Sequence, residues 1–221
     1  MGYTSRVIIS HPSARSRVAP CRRRQASSRR AAGFSLLELF IVLVIVLLVG
    51  SMYWSFVSGN TARQQQKSCE KNLQKAFIAL EIFANDHAGQ YPALAGAKTS
   101  GAALDLLVPR YTVDTSSFIC PASKDAAPPS GESLARRTIS YAYFMGRQRR
   151  DAQEVLMSDR QIDTLAKTAG QLAFSTNGQA PGNNHQKSGG NFLFGDGHVE
   201  TTPARLPFSL VLPPGVVLLN P

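Results

Sequence analysis

The sequence predicts an α+β protein in which one long N-terminal helix, apolar at first and amphipathic after, carries a small antiparallel sheet. Three observations predict it. Residues 39–49 form an unbroken apolar run. From about Thr61, apolar residues recur at spacings of three and four. Near the C-terminus an Asp-Gly pair separates two strand-like runs, a strong hairpin signal.

The first 33 residues read as a basic leader. Of the 24 Lys and Arg, eight are Arg in residues 1–33, which hold no Asp or Glu; beyond Gly33, 16 face 14 acidic residues, a net of +2. A pI near 10 would otherwise suggest a nucleic-acid partner. Here the excess belongs to a segment that positive flanks retain in the cytoplasm, so no nucleic-acid partner is expected. Arg136-Arg137, Arg147 and Arg149-Arg150 are ordinary surface arginines on this reading.

Residues 34–57 are the membrane-entering half of the helix. Gly33 is followed by Phe34, Ser35, Leu36, Leu37, Glu38 and Leu39, and the chain then carries no charge to Val57. A carboxylate deep in a bilayer costs about 2.5–3.5 kcal/mol on insertion scales. Either Glu38 is tolerated near the headgroups, or it has a cationic partner supplied on assembly. An ordinary secretory signal would be cut after the apolar region rather than before it.

Residues 58–88 are the amphipathic half. Cys69, Leu73, Ala76, Phe77, Leu80, Phe83 and Ala84 mark one face. Lys67, Lys71 and Lys75 form a solvated stripe on another. Asn85 to Gly89, with Pro92 soon after, reads as the stop. A continuous helix from Phe34 to Ala84 would be roughly 75 Å long.

Residues 89–221 form the globular part. A short helix is expected over Ala102–Val108. Strands are expected over Thr138–Met145, Val155–Met157, Asn191–Phe194 and His198–Thr201, with Asp196-Gly197 as the turn of the last pair. Residues 175–190 read as a flexible Gly/Asn loop. The tail from Leu206 is too broken by proline to span a membrane; it lies along the sheet or docks on a neighbour. The sheet should pack on the helix with loops facing outward. Once Cys21 leaves with the leader, Cys69 and Cys120 remain, where a disulfide is permitted. If they pair, closing that loop contributes on the order of 4 kcal/mol; the alternative is two free thiols, one on a helix face and one in a loop.

The run Gly33-Phe34-Ser35-Leu36-Leu37-Glu38-Leu39 resembles the cleavage motif of type IV prepilins and type II secretion pseudopilins. The resemblance implies a pilin-like fold, cleavage between Gly33 and Phe34 by a prepilin peptidase, and N-methylation of Phe34. It also implies that Glu38 pairs with the terminal amine of a neighbouring subunit. Partners would be the peptidase, other pilin or pseudopilin subunits, an inner-membrane assembly platform and lipid. The chain would sit in a bacterial inner membrane by one span, leader cytoplasmic and C-terminal domain extracytoplasmic, and then in a pseudopilus or pilus. The region 185–201 is similar to that of prepilin-type proteins with a His, nine residues, then Asp-Gly. Here ten residues separate His185 from Asp196-Gly197, one more than that pattern. Cys69 to Lys75, Tyr91-Pro92, Cys120-Pro121 and Ser140 to Tyr143 also resemble landmarks of that group.

No cofactor and no resident metal are expected. If a metal were bound, His185, Asp196 and His198 are the candidates, by analogy with pseudopilins that carry calcium in a C-terminal loop. The simpler reading makes Asp196 a turn residue and His185 a hydrogen-bonding tie between the Gly/Asn loop and the hairpin. His198-Val199-Glu200 opens like a zinc-deaminase signature, but the later cysteine pair is missing. The nucleophile elbow, the zinc-protease helix and the phosphate loop are also missing, so no enzyme is expected. Two rivals stand beside the filament reading. One is a membrane-anchored binding module that never polymerises, for which replacing Glu38 would change nothing. The other is a DNA-uptake pilin, which would bind DNA with a steep salt dependence.

Overall fold

The computed structural model describes residues 35–177 and 184–221. The described residues divide into two units, one ending at Leu47 and the other spanning Leu48–Pro221.

Helix α1 spans Leu36–Asp86. It stops where the sequence places its terminator. Ala88 and Gly89 take positive φ of 53° and 81°, and the Gly89 amide donates to the Ala84 carbonyl at 2.8 Å. This left-handed ending satisfies carbonyls that the last helical turn leaves open.

Beyond α1, helix α2 (Ser100–Leu104) runs into a 3₁₀ turn, Asp105–Leu107. The expected helix over Ala102–Val108 therefore begins two residues earlier, capped by the Thr99 hydroxyl, which accepts from the Ala102 amide. A second 3₁₀ turn, Thr115–Phe118, delivers Ile119 and Cys120 to the core.

Five strands form one antiparallel sheet in the order β4-β3-β2-β1-β5: β1 Tyr141–Met145, β2 Val155–Asp159, β3 Gly190–Phe194, β4 Val199–Thr202 and β5 Val217–Leu219. The first expected strand starts three residues late, because Thr138 to Ser140 lead in as irregular chain. The second extends two residues further, to Asp159. The tail returns to the sheet: β5 pairs with β1, Tyr143 opposite Leu219, and Asn220 bonds to both main-chain groups of Gln161.

Alternation along the strands feeds two cores. Tyr141, Tyr143, Leu193 and Leu219 face the cluster that holds Cys69, Leu73, Ala76, Leu80, Phe83 and Ala84 of α1. Ala142, Phe144, Phe192, Phe194 and Leu218 face a second cluster with Ala173, Phe174, Ala204, Leu206 and Leu210. A register shift between Val155 and Met157 lets Leu156 and Met157 both join the helix-side cluster while Val155 joins the other.

The second cluster adds a layer that the sequence reading does not include. Two irregular segments, bridged at Lys167–Leu210 and Leu172–Arg205, cover the face of the sheet away from α1. Strands β1, β2 and β3 are consequently buried on both faces, which is why they read as short apolar runs rather than as alternation.

Buried tyrosine hydroxyls find partners in this packing. Tyr143 donates to the Pro92 carbonyl at 2.8 Å and Tyr91 to Glu81 at 2.6 Å. Burial pushes both phenols well above their ordinary range.

Candidate functional site

Two places hold the residues singled out by the sequence. The first is the start of α1. Leu36–Trp54 has a mean hydropathy of 2.6, and none of it is buried among the described residues. Its 19 residues rise roughly 28 Å as an α-helix, close to the hydrocarbon thickness of a bilayer. The helix is thus long and apolar enough to cross a membrane once; a signal segment passes the same measure. Glu38 lies in its first turn, exposed, where the positive end of the helix dipole favours a carboxylate. The expected cleavage and methylation positions, Gly33 and Phe34, lie outside the described residues.

The second place is a buried cluster where α1 meets the sheet. Cys69 of α1 and Cys120 are joined by a disulfide, with Cα atoms 5.1 Å apart. The bond fastens the helix to the segment that enters β1, and Asn72 Nδ2 reinforces it by donating to the Ile119 carbonyl at 2.8 Å.

His185 sits beside this bond. Its Nε2 lies 3.4 Å from Cys120 Sγ and 3.3 Å from Asp159 Oδ2. Asp159, at the end of β2, is fully enclosed; it accepts from the Asn191 amide at 2.7 Å and from Asn184 Nδ2 at 2.9 Å. The Asn184 amide also reaches the Ser140 carbonyl at 2.7 Å. His185 thus reaches the hairpin through Asp159, which the backbone of β3 holds from the other side.

Next to this cluster, Arg160 and Asp125 form an enclosed ion pair at 2.6 Å, with Ser140 donating to the same carboxylate at 2.7 Å. Breaking such a pair by removing one partner leaves an uncompensated charge and is strongly destabilising. The pair therefore pins the loop before β1 to the end of β2.

The expected metal candidates His185, Asp196 and His198 do not assemble into one site. Asp196 and His198 lie at the exposed β3–β4 turn, Nδ1 to Oδ1 at 2.5 Å, and the His198 ring stacks on Phe194 at 4.3 Å. The amide and then the ring of His198 hold the Asp196 carboxyl below the usual range. His185 instead shares its surroundings with Cys69, Cys120 and Asp159. Gly197 has φ +88°, and a Cβ there would come within 2.5 Å of the Phe77 ring of α1. The Asp-Gly turn is thus a packing element against the helix as well as a reversal.

Sequence reasoning missed Asp159, Asp125 and Arg160. Asp159 follows a short apolar strand and reads as a flanking charge; its partners come from 25 and 32 residues away, so no local pattern signals its burial. Of the arginines weighed as a nucleic-acid patch, Arg137, Arg147 and Arg149 are engaged by Glu132, Glu154 and Glu81.

The chain matches no protein-family model, no curated protein and no solved structure.

Proposed function

We propose that this protein is a pilin-like structural subunit, held in a bacterial inner membrane by the first half of α1 and assembled into a pseudopilus or pilus of the kind that serves type II-like secretion. A prepilin peptidase cuts between Gly33 and Phe34, Phe34 is N-methylated, and the leader stays in the cytoplasm while the α+β domain lies outside it. Assembly moves the apolar half of α1 from lipid into a bundle of identical or related helices. Glu38 sets the register there, because a carboxylate inside such a bundle is penalised unless it meets the terminal amine of a neighbour. The work is mechanical rather than enzymatic.

One observation carries this reading: an uncovered apolar helix with a single carboxylate near its start continues without interruption into the helix of a folded domain. A simple anchor needs neither the carboxylate nor the continuity. The disulfide between Cys69 and Cys120 supports the extracytoplasmic placement of the domain.

The experiment is the intact mass and N-terminal sequence of the protein recovered from membranes of cells that contain a prepilin peptidase. The expected chain begins at Phe34 and is heavier by one methyl group. A chain still beginning at Met1, or cut after the apolar run, overturns the proposal.

A further inference from the structure

The sulfurs of Cys69 and Cys120, the His185 nitrogen and the Asp159 carboxylate oxygen all lie within 4.8 Å of one another, and all four residues are buried. The arrangement is convergent. The same ring nitrogen, Nε2, faces both Cys120 Sγ and Asp159 Oδ2, whereas a proton relay would use the two ring nitrogens in turn. Donors that converge on a point are what a metal ion requires.

Two of the spacings, both from His185, already fit zinc. Sulfur at about 2.3 Å and nitrogen or oxygen at about 2.0–2.2 Å from a tetrahedral zinc ion place neighbouring donors roughly 3.3–3.8 Å apart. Nε2 already lies 3.4 Å from one sulfur and 3.3 Å from the carboxylate oxygen. The Asn184 amide and the Asn191 N–H hold Asp159 in place, and partners of that kind orient a ligand and sustain affinity. His185 also lines a cavity of about 230 Å³ with Ala62, Gln65, Ala122 and Lys187, so one member of the cluster borders open space.

We propose that Cys69, Cys120, Asp159 and His185 form a zinc site that opens when the disulfide is reduced. Zinc and the disulfide are then alternative clasps between α1 and the segment before β1: the metal in reducing surroundings, the covalent bond in oxidising ones. The interchange balances. A dithiol reductant gives two electrons and two protons to the Cys69–Cys120 bond and leaves as its own disulfide. Zinc then binds both sulfurs as thiolates, releasing those two protons. Asp159 enters as a carboxylate, and His185 gives the lone pair of Nε2. The inference stands on the cluster alone and holds whether or not the chain forms a filament.

The test uses the full chain in detergent, once oxidised and once reduced with a phosphine that is removed before metal is added. Cobalt(II) is the probe, because thiolate ligation gives a near-ultraviolet charge-transfer band and tetrahedral geometry gives intense visible bands. The expected result is one cobalt per reduced chain, displaced by zinc, and no such spectrum from the oxidised chain. His185→Gln and Asp159→Asn should each weaken binding by about tenfold or more, while Asp196→Asn at the exposed turn changes nothing. Near-ultraviolet circular dichroism of each oxidised variant reports its fold. A reduced wild type that binds no cobalt, folded or unfolded, overturns the proposal. So does equal binding by the oxidised chain, or full binding by the folded His185 and Asp159 variants. The wild-type comparison decides even where a variant does not fold.

Discussion

The two halves of α1 both carry leucines, and those leucines have opposite fates. Leu47 is 64% exposed and Leu43 54%, whereas Leu73 and Leu80 are wholly enclosed. The second half presents its apolar residues at spacings of three and four, so one face meets the sheet and the other keeps Lys67, Lys71 and Lys75 in water. The first half is apolar all round, and no single sheet can cover a helix from every side. A helix of that kind needs lipid or a ring of other helices. The difference lies in composition as well as arrangement: Glu38 is the one charge of the first half, whereas the second sets charged and amide side chains around a single apolar face, and only that face is covered by this chain's own fold.

Truncation should separate the halves by the largest margin. Leu73→Ala removes a fully buried side chain and is expected to cost about 2–5 kcal/mol. Leu43→Ala removes a side chain that the described residues leave 54% exposed, and the stability of the domain should be unchanged. Denaturant unfolding of both variants in the same detergent, followed by near-ultraviolet circular dichroism, makes the comparison. Equal losses would show that the apolar half supports the domain directly, and the division would collapse.

A smaller effect should come from one helical turn further along α1, at Phe77. Gly197→Ala places a methyl group against the Phe77 ring and also demands φ near +88°. Left-handed backbone on a residue with a Cβ costs of order 1–3 kcal/mol, and the clash adds to it. Gly170, also at positive φ but with open space around its Cβ, is the control: Gly170→Ala should lose less. If the two lose the same, the ring contact contributes nothing.

The sequence made the helix and its stop legible because both rest on local rules: spacing for the face, Gly89 for the end. The hairpin was legible for the same reason, since Asp196-Gly197 supplies its own turn chemistry. Three things were not. The layer over the outer face of the sheet has no regular period; Phe174, Leu206 and Leu210 reach it from irregular chain. Strand β5 is three residues in a proline-rich tail, and only its pairing with β1 makes it a strand. The buried cluster draws Cys69, Cys120, Asp159 and His185 from four distant points, so neither the bond between the cysteines nor the approach of Asp159 follows from any window of sequence. The same distance rule explains why His185 was grouped with its sequence neighbours Asp196 and His198 rather than with its actual ones.

The solvated face of the second half should show the smallest effect, and pH is the way to read it. Lys75 of α1 meets Asp114 at 3.1 Å, and Asp114 also accepts from the Ser116 hydroxyl. The Ser116 bond, followed by Lys75, holds the Asp114 carboxyl below its usual value. A carboxyl whose pKa is lower in the folded than in the unfolded chain stabilises the fold above the unfolded value, near 3.9. That stabilisation is lost as the pH falls through the lower, folded value. The melting temperature should therefore be insensitive to this pair between pH 7 and 5 and fall below about pH 4. Both side chains are about half exposed, so solvent limits the pair to about 0–1 kcal/mol. Asp114→Asn should flatten the acid limb slightly and leave the neutral plateau lower by no more than that. An acid limb identical to that of the wild type would mean that the Lys75–Asp114 pair contributes nothing to the fold, and that the polar contacts holding α1 to the domain are others, such as those of Glu81 with Arg149 and Tyr91.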